Sequence, residues 1–192
     1  MSEAAKKFMT MSIWITLVIF IIRSWIGWSE LSEAVNSGNV LGCGYSLFGY
    51  AGEAIGIATL FMTAFNLWLW RFRTFNFIAG GMPVLAKKYT GKIKFHWDGQ
   101  DQERETTIGI EQTFLNITVD LYTNESTSKS ITASIENKQL IYTYLNTPRA
   151  EIQDRSAVHF GTAMLKLDNP QHLTGNYYTG RLSRGSMDLQ AD

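Results

Sequence analysis

Fifteen consecutive residues, Phe8 to Ile22, carry no charge: "FMTMSIWITLVIFII". Extended through Arg23 to Trp28, the run reaches the roughly 20 residues that a helix needs to cross a bilayer. Nine of the fifteen are Phe, Leu, Ile or Val, which together favour insertion by about 3 to 5 kcal/mol. Arg23 costs less near the end of a span than at its centre, because there it snorkels, and Trp25 and Trp28 suit the interface. A signal peptide would use Lys6 and Lys7 as its n-region, but "RSWIGW" offers no small-x-small cleavage site.

A second apolar run, Ala54 to Trp70, extends back to about Ser46 past Glu53 and ends at Arg71 and Arg73. The two runs predict a transmembrane hairpin over residues 1–80. The segment between them, "SELSEAVNSGN", reads as a loop with Glu30 and Glu33 and no Lys or Arg. Lys6, Lys7, Arg71 and Arg73 all lie on the other side, so the positive-inside rule puts both termini in the cytoplasm. Arg23 and Glu53 each fall about 22 to 26 Å from the cytoplasmic ends of their helices. At that shared depth they either pair, within one hairpin or between neighbours, or each snorkels outward. Gly52 and Gly56 form a G-x-x-x-G, with Ala54 and Ala58 as a second small pair. Such positions let helices approach closely and associate.

Gly80, Gly81 and Pro83 stop the helix, and residues 81–88 read as a linker, with Lys87 and Lys88 suited to a lipid surface. From Tyr89 the hydrophobic period changes to two. "TFLNITVDLY" puts Leu115, Ile117, Val119 and Leu121 on one face, and "SITASIEN" does the same for Ile131, Ala133 and Ile135. Turn-rich stretches, "DGQDQE", "TNESTS", "NTPRAEIQD" and "LDNPQ", separate the runs. About eight strands result, which predicts an antiparallel up-and-down β-barrel over 89–192. A barrel of that size is nearly filled by side chains or holds one small ligand, and closure removes exposed edges.

The chemistry is narrowed by what is missing. A single cysteine, Cys43, and three histidines give no disulfide framework and no convincing zinc site. There is no G-x-S-x-G, H-E-x-x-H or C-x-x-C pattern, so catalysis is not expected and no cofactor is called for. From Lys87 onward, 12 Lys and Arg face 13 Asp and Glu, which argues against a nucleic-acid polymer. A small anion needs only two or three well-placed cations.

"LTGNYYTGRLSRGSM", residues 173–187, comes close to a phosphate loop: Gly175 and Gly180 have Walker A spacing. Arg181-Leu182 stands where Lys and Ser or Thr are required, and the residues between the glycines favour strand. The stretch reads as a strand, a turn near Ser183 to Gly185, and a last strand, with Arg181 and Arg184 at one barrel end.

These segments together, two N-terminal spans followed by "QTFLNITVDLYTNESTSKS", "LIYTYLNTP", "HFGTAMLKL" and "LTGNYYTGRLSRGSMDL", resemble a known family. It is that of the two-transmembrane, β-strand-rich effectors of bacterial CBASS anti-phage systems, which are associated with second-messenger oligonucleotide synthetases. The resemblance implies a cytoplasmic minimal barrel that senses a cyclic dinucleotide. It further implies homo-oligomerisation on activation and disruption of the bacterial inner membrane, with the lipid bilayer as the other partner. Phosphates suit Arg, bases suit aromatic rings, and hydroxyls and amides complete the contacts. The candidates are Arg181 and Arg184 with Tyr178 and Thr179; Tyr144, Asn146 and Arg149; Ser128 and Ser130; and His159. Gly161 and Gly175 leave strand parity open, so which tyrosines point inward is not fixed. A membrane-tethered, lipocalin-like carrier of an apolar ligand is the alternative, and it would show a cavity with apolar walls only.

Overall fold

The computed structural model describes residues 2–78, 80–97 and 100–192. The chain forms two compact units, 1–80 and 81–192.

In the first unit, α1 spans Glu3–Ile26 and α3 spans Val40–Leu67. At 1.5 Å per residue they are about 36 and 42 Å long, enough to cross a bilayer. Ser2 caps α1 by accepting from the Ala5 N–H at 3.2 Å, and Asn39 caps α3 by accepting from Gly42 at 2.9 Å. The expected loop between the runs is mostly a helix, α2, Trp28–Asn36. Its Ser, Glu, Leu and Ala residues are compatible with a helix, and Leu31 gives it a buried anchor. Gly38, at φ +72°, ends this segment. A further short helix, α4, Arg73–Ile78, occupies part of the expected connection. Gly80 and Gly81 then take left-handed φ values of 89° and 70°, which terminates helical structure as their sequence implied.

The second unit is a closed barrel of eight antiparallel strands in sequential order. They are β1 Lys88–Trp97, β2 Gln100–Gln112, β3 Ile117–Tyr122, β4 Ser126–Glu136, β5 Gln139–Pro148, β6 His159–Asn169, β7 His172–Thr179 and β8 Arg184–Ala191. β1 pairs with β8, so no edge is left open. Alternation holds with two exceptions. Leu115 precedes β3 in a turn closed by the Thr113 N–H on Asn116 O, and it is 41% exposed. A bulge between Ser130 and Thr132 turns Ile131 outward, 58% exposed, before Ala133 and Ile135 return to the core. Of the expected turn 98–103, residues 98 and 99 lie outside the described residues, and Gln100 to Glu103 already belong to β2.

One end of the barrel is solid. Tyr89, Ile108, Leu140, Leu165, Leu173 and Leu189 are all fully buried there, each aliphatic side chain contributing about 1.5–3 kcal/mol. The expected linker closes this end rather than trailing from it. Leu85 is buried in the core, its N–H donating to Gln112 Oε1 at 3.0 Å, while Gln112 Nε2 donates to Pro83 O at 2.9 Å. The Tyr89 hydroxyl accepts from the Ala86 N–H and donates to Pro170 O, 2.9 and 2.7 Å. The opposite end, where β1, β3, β5 and β7 finish, stays open.

Candidate functional site

Inward-facing residues at the open end surround a cavity of about 340 Å³, within the size range of small-molecule sites. Its floor is apolar, from Ile93, Leu121, Tyr142 and Met187. Its rim is polar and carries three arginines, Arg104, Arg155 and Arg181.

Two glycines set the shape of the mouth. Tyr144 and Gly161 are cross-strand partners, and a Cβ at 161 would run into the tyrosine ring. The missing side chain lets Tyr144 lie over β6. Tyr177 and Gly185 repeat the arrangement on β7 and β8, where a Cβ would meet the Tyr177 hydroxyl at 2.8 Å. The Tyr142 and Tyr144 rings are 5.8 Å apart. Burial pushes the phenols of Tyr142, Tyr144 and Tyr177 up from their ordinary value, with Arg104 opposing the shift at Tyr177. All three are therefore protonated donors at neutral pH.

The rim is ordered by hydrogen bonds. Asn146 Nδ2 donates to Ser126 Oγ and Ser128 Oγ at 3.1 and 2.9 Å. The Thr179 and Ser183 hydroxyls lie 2.6 Å apart across the last turn. His159 Nδ1 is 2.8 Å from Ala157 O. Arg104 stacks over Phe95, with its guanidinium carbon 5.4 Å from the ring centre. The Glu125 carboxylate lies between Arg104 Nη1 at 2.8 Å and Arg155 Nη2 at 2.7 Å.

Six of the sequence candidates line this cavity: Arg181, Thr179, Tyr144, Asn146, Ser128 and His159. Four do not. Tyr178 is one residue out of parity and stands 46% exposed on the outer face, where it pairs across strands with Arg184, also exposed. Arg149 is exposed before a 3-10 turn, Ala150–Ile152, and its N–H donates to Glu125 O at 2.9 Å. Ser130 sits at the bulge and accepts from the Val119 N–H at 2.8 Å. The last turn comes earlier than expected, with Thr179 and Ser183 closing it and Leu182 at φ +62°. Gly185 is already in β8.

Sequence reasoning missed Arg104, Tyr177, Phe95, Glu125 and Arg155. Alternation alone would have found two of them, and Tyr177 once parity is carried across Gly175. Arg104 shares parity with Thr106 and Ile108, Tyr177 with Leu173, and Phe95 with Ile93. Glu125 and Arg155 lie in connections, where no period applies.

Within the first unit, Arg23 Nε donates to Glu53 Oε2 at 2.6 Å, and the Arg23 guanidinium stacks on Tyr50 at 4.1 Å. The Tyr50 hydroxyl donates to Glu30 Oε2 at 2.9 Å. The two small-residue pairs of α3 part company. Ala54 and Ala58 are buried. Among the described residues, nothing lies within 4 Å of a methyl built on Gly52 or Gly56.

Residues 81–191 match the family model described as "Cap15, cyclic dinucleotide receptor domain". The chain is also 27% identical over 203 residues to CD-NTase-associated protein 15 of Staphylococcus schleiferi, covering 99% of this chain and 98% of that protein.

Proposed function

This chain belongs to the Cap15 cyclic dinucleotide receptor family, and from that membership we propose that it is a membrane-disrupting effector of an anti-phage CBASS system. A cyclic dinucleotide fills the open end of the barrel. The filled receptor self-associates, and the helices breach the bacterial inner membrane, with the barrel and both termini on the cytoplasmic side. No chemical conversion of the ligand is part of this account.

One observation carries the ligand assignment. The cavity has an apolar floor, two tyrosine rings tilted against each other, and a rim with three arginines, hydroxyls and an amide. Rings suit base stacking and guanidinium forks suit phosphodiesters. A carrier of apolar ligands would have no use for such a rim. Arg181, Thr179, Tyr144, Asn146, Ser128 and His159 are the proposed contacts from the sequence, joined by Arg104 and Tyr177. For self-association, Gly52 and Gly56 offer a second helix a close approach on a surface that α1 does not cover.

The test uses the full chain in liposomes loaded with a self-quenching dye. Adding the cyclic dinucleotide that binds the chain is expected to release dye, and Gly52→Leu/Gly56→Leu to reduce that release without changing binding. Binding without release overturns the membrane-disruption reading.

A further inference from the structure

The cavity contains an anion of its own. Resting on the cyclic dinucleotide reading above, we infer that Glu125 is an internal competitor for the ligand's phosphodiester. Its carboxylate holds the position on Arg104 and Arg155 that a phosphate takes, and thereby sets the messenger concentration at which the site fills.

The geometry supports an exchange of anions. A carboxylate and a phosphodiester each carry one negative charge over two terminal oxygens, and both match the guanidinium fork. Arg104, on β2, and Arg155, on the connection after β5, both contact the one carboxylate, at 2.8 and 2.7 Å. A phosphate brought to either arginine with Glu125 still in place would meet a like charge at close range. The carboxylate must therefore leave when the phosphate arrives.

The surroundings allow that movement. The Glu125 backbone is fixed in the turn between β3 and β4. Thr123 N–H donates to Ser126 O at 3.0 Å, Thr123 Oγ1 accepts from the N–H groups of Glu125 and Ser126, and Arg149 N–H donates to Glu125 O. Arg104 is set by its stack on Phe95. What these backbone bonds and this stack do not hold is the Glu125 side chain, 23% exposed, and the Arg155 side chain, 64% exposed. Displacement thus needs only side-chain rotations, and the barrel stays closed. If the unlatched arrangement is about a tenth of the population, the apparent affinity is about tenfold below the intrinsic one.

The test is calorimetric titration of the full chain in detergent micelles with cyclic di-AMP, cyclic di-GMP, cyclic di-UMP and cyclic GMP–AMP. Wild type, Glu125→Gln and Arg104→Ala are compared, with ligand-free thermal midpoints establishing that each is folded. For the dinucleotide that wild type binds, Glu125→Gln is expected to lower Kd by about tenfold and Arg104→Ala to raise it. Binding by Glu125→Gln where wild type shows none also supports the proposal. Wild-type binding that is unchanged or weakened in Glu125→Gln overturns the competitor role while leaving the receptor reading intact. Should Glu125→Gln not fold, Glu125→Ala takes its place with the same expected direction. Failure of every protein to bind any of the four overturns the receptor reading, and this inference with it.

Discussion

Arg23 and Glu53, 30 positions apart in sequence, meet at 2.6 Å and tie the two long helices of one hairpin together. Their similar depth follows from helix rise alone, but spacing left open whether they pair within one hairpin, pair between neighbours or snorkel apart. The charge-reversed Arg23→Glu is expected to abolish ligand-dependent dye release from liposomes, because two carboxylates would then face each other. The double swap Arg23→Glu/Glu53→Arg is expected to restore it. A double variant no better than the single one would show that the pair is not what the hairpin needs.

Tyr177 and Tyr178 are neighbours with opposite assignments. Tyr177 lines the cavity and Tyr178 stands on the outer face. Tyr177→Ala is expected to weaken cyclic dinucleotide binding by about 10- to 100-fold, corresponding to the loss of roughly 1–3 kcal/mol of stacking. Tyr178→Ala should leave Kd within about twofold, because outer-face substitutions away from the site cost little. The reverse order would place the ligand outside the barrel.

Barrel architecture, strand number and the membrane-length helices were legible in the sequence, because alternation and long uncharged runs reflect burial directly. The site was legible only in part. At Gly161 and Gly175 the pattern has no side chain to read, and parity is lost there. Both glycines face inward for steric reasons: one makes room for Tyr144, and a Cβ on the other would strike the Leu165 Cα at 2.8 Å. Glu125 and Arg155 lie in connections, and only the fold brings them to Arg104. The 81–88 segment read as a linker because Gly80, Gly81 and Pro83 stop the preceding helix, yet Leu85 makes it part of the core.

That closure can be measured. Gln112→Leu strips partners from Leu85 N–H and Pro83 O at the solid end. The expected loss is about 1–3 kcal/mol, or a fall of roughly 4–8 °C in the barrel's thermal midpoint for each kcal/mol. Calorimetry of the full chain in micelles checks it. An unchanged midpoint would mean the segment is not held by this pair of bonds.

Stability should also decline in alkali. The raised phenols of Tyr142, Tyr144 and Tyr177 favour the protonated form in the folded barrel. Their contribution is complete below the unfolded tyrosine value of about 10 and is lost as pH rises toward the raised folded values. Thermal midpoints measured from pH 8 to pH 12 should hold until about pH 10 and then fall. Tyr142→Phe should fall less steeply, since it has no phenol to ionise. A midpoint that declines equally in both proteins would assign the alkaline loss to other groups.

The central claim is that this barrel receives a cyclic dinucleotide through its open end. Titration of the full chain with cyclic dinucleotides, in parallel with Arg181→Ala and Arg184→Ala, tests it most directly. Saturable binding of one dinucleotide per barrel is predicted, weakened about 10- to 100-fold by Arg181→Ala through loss of a charge-assisted contact and little affected by Arg184→Ala. Absence of binding across the panel in wild type and Glu125→Gln alike, or binding insensitive to Arg181→Ala, would contradict the account.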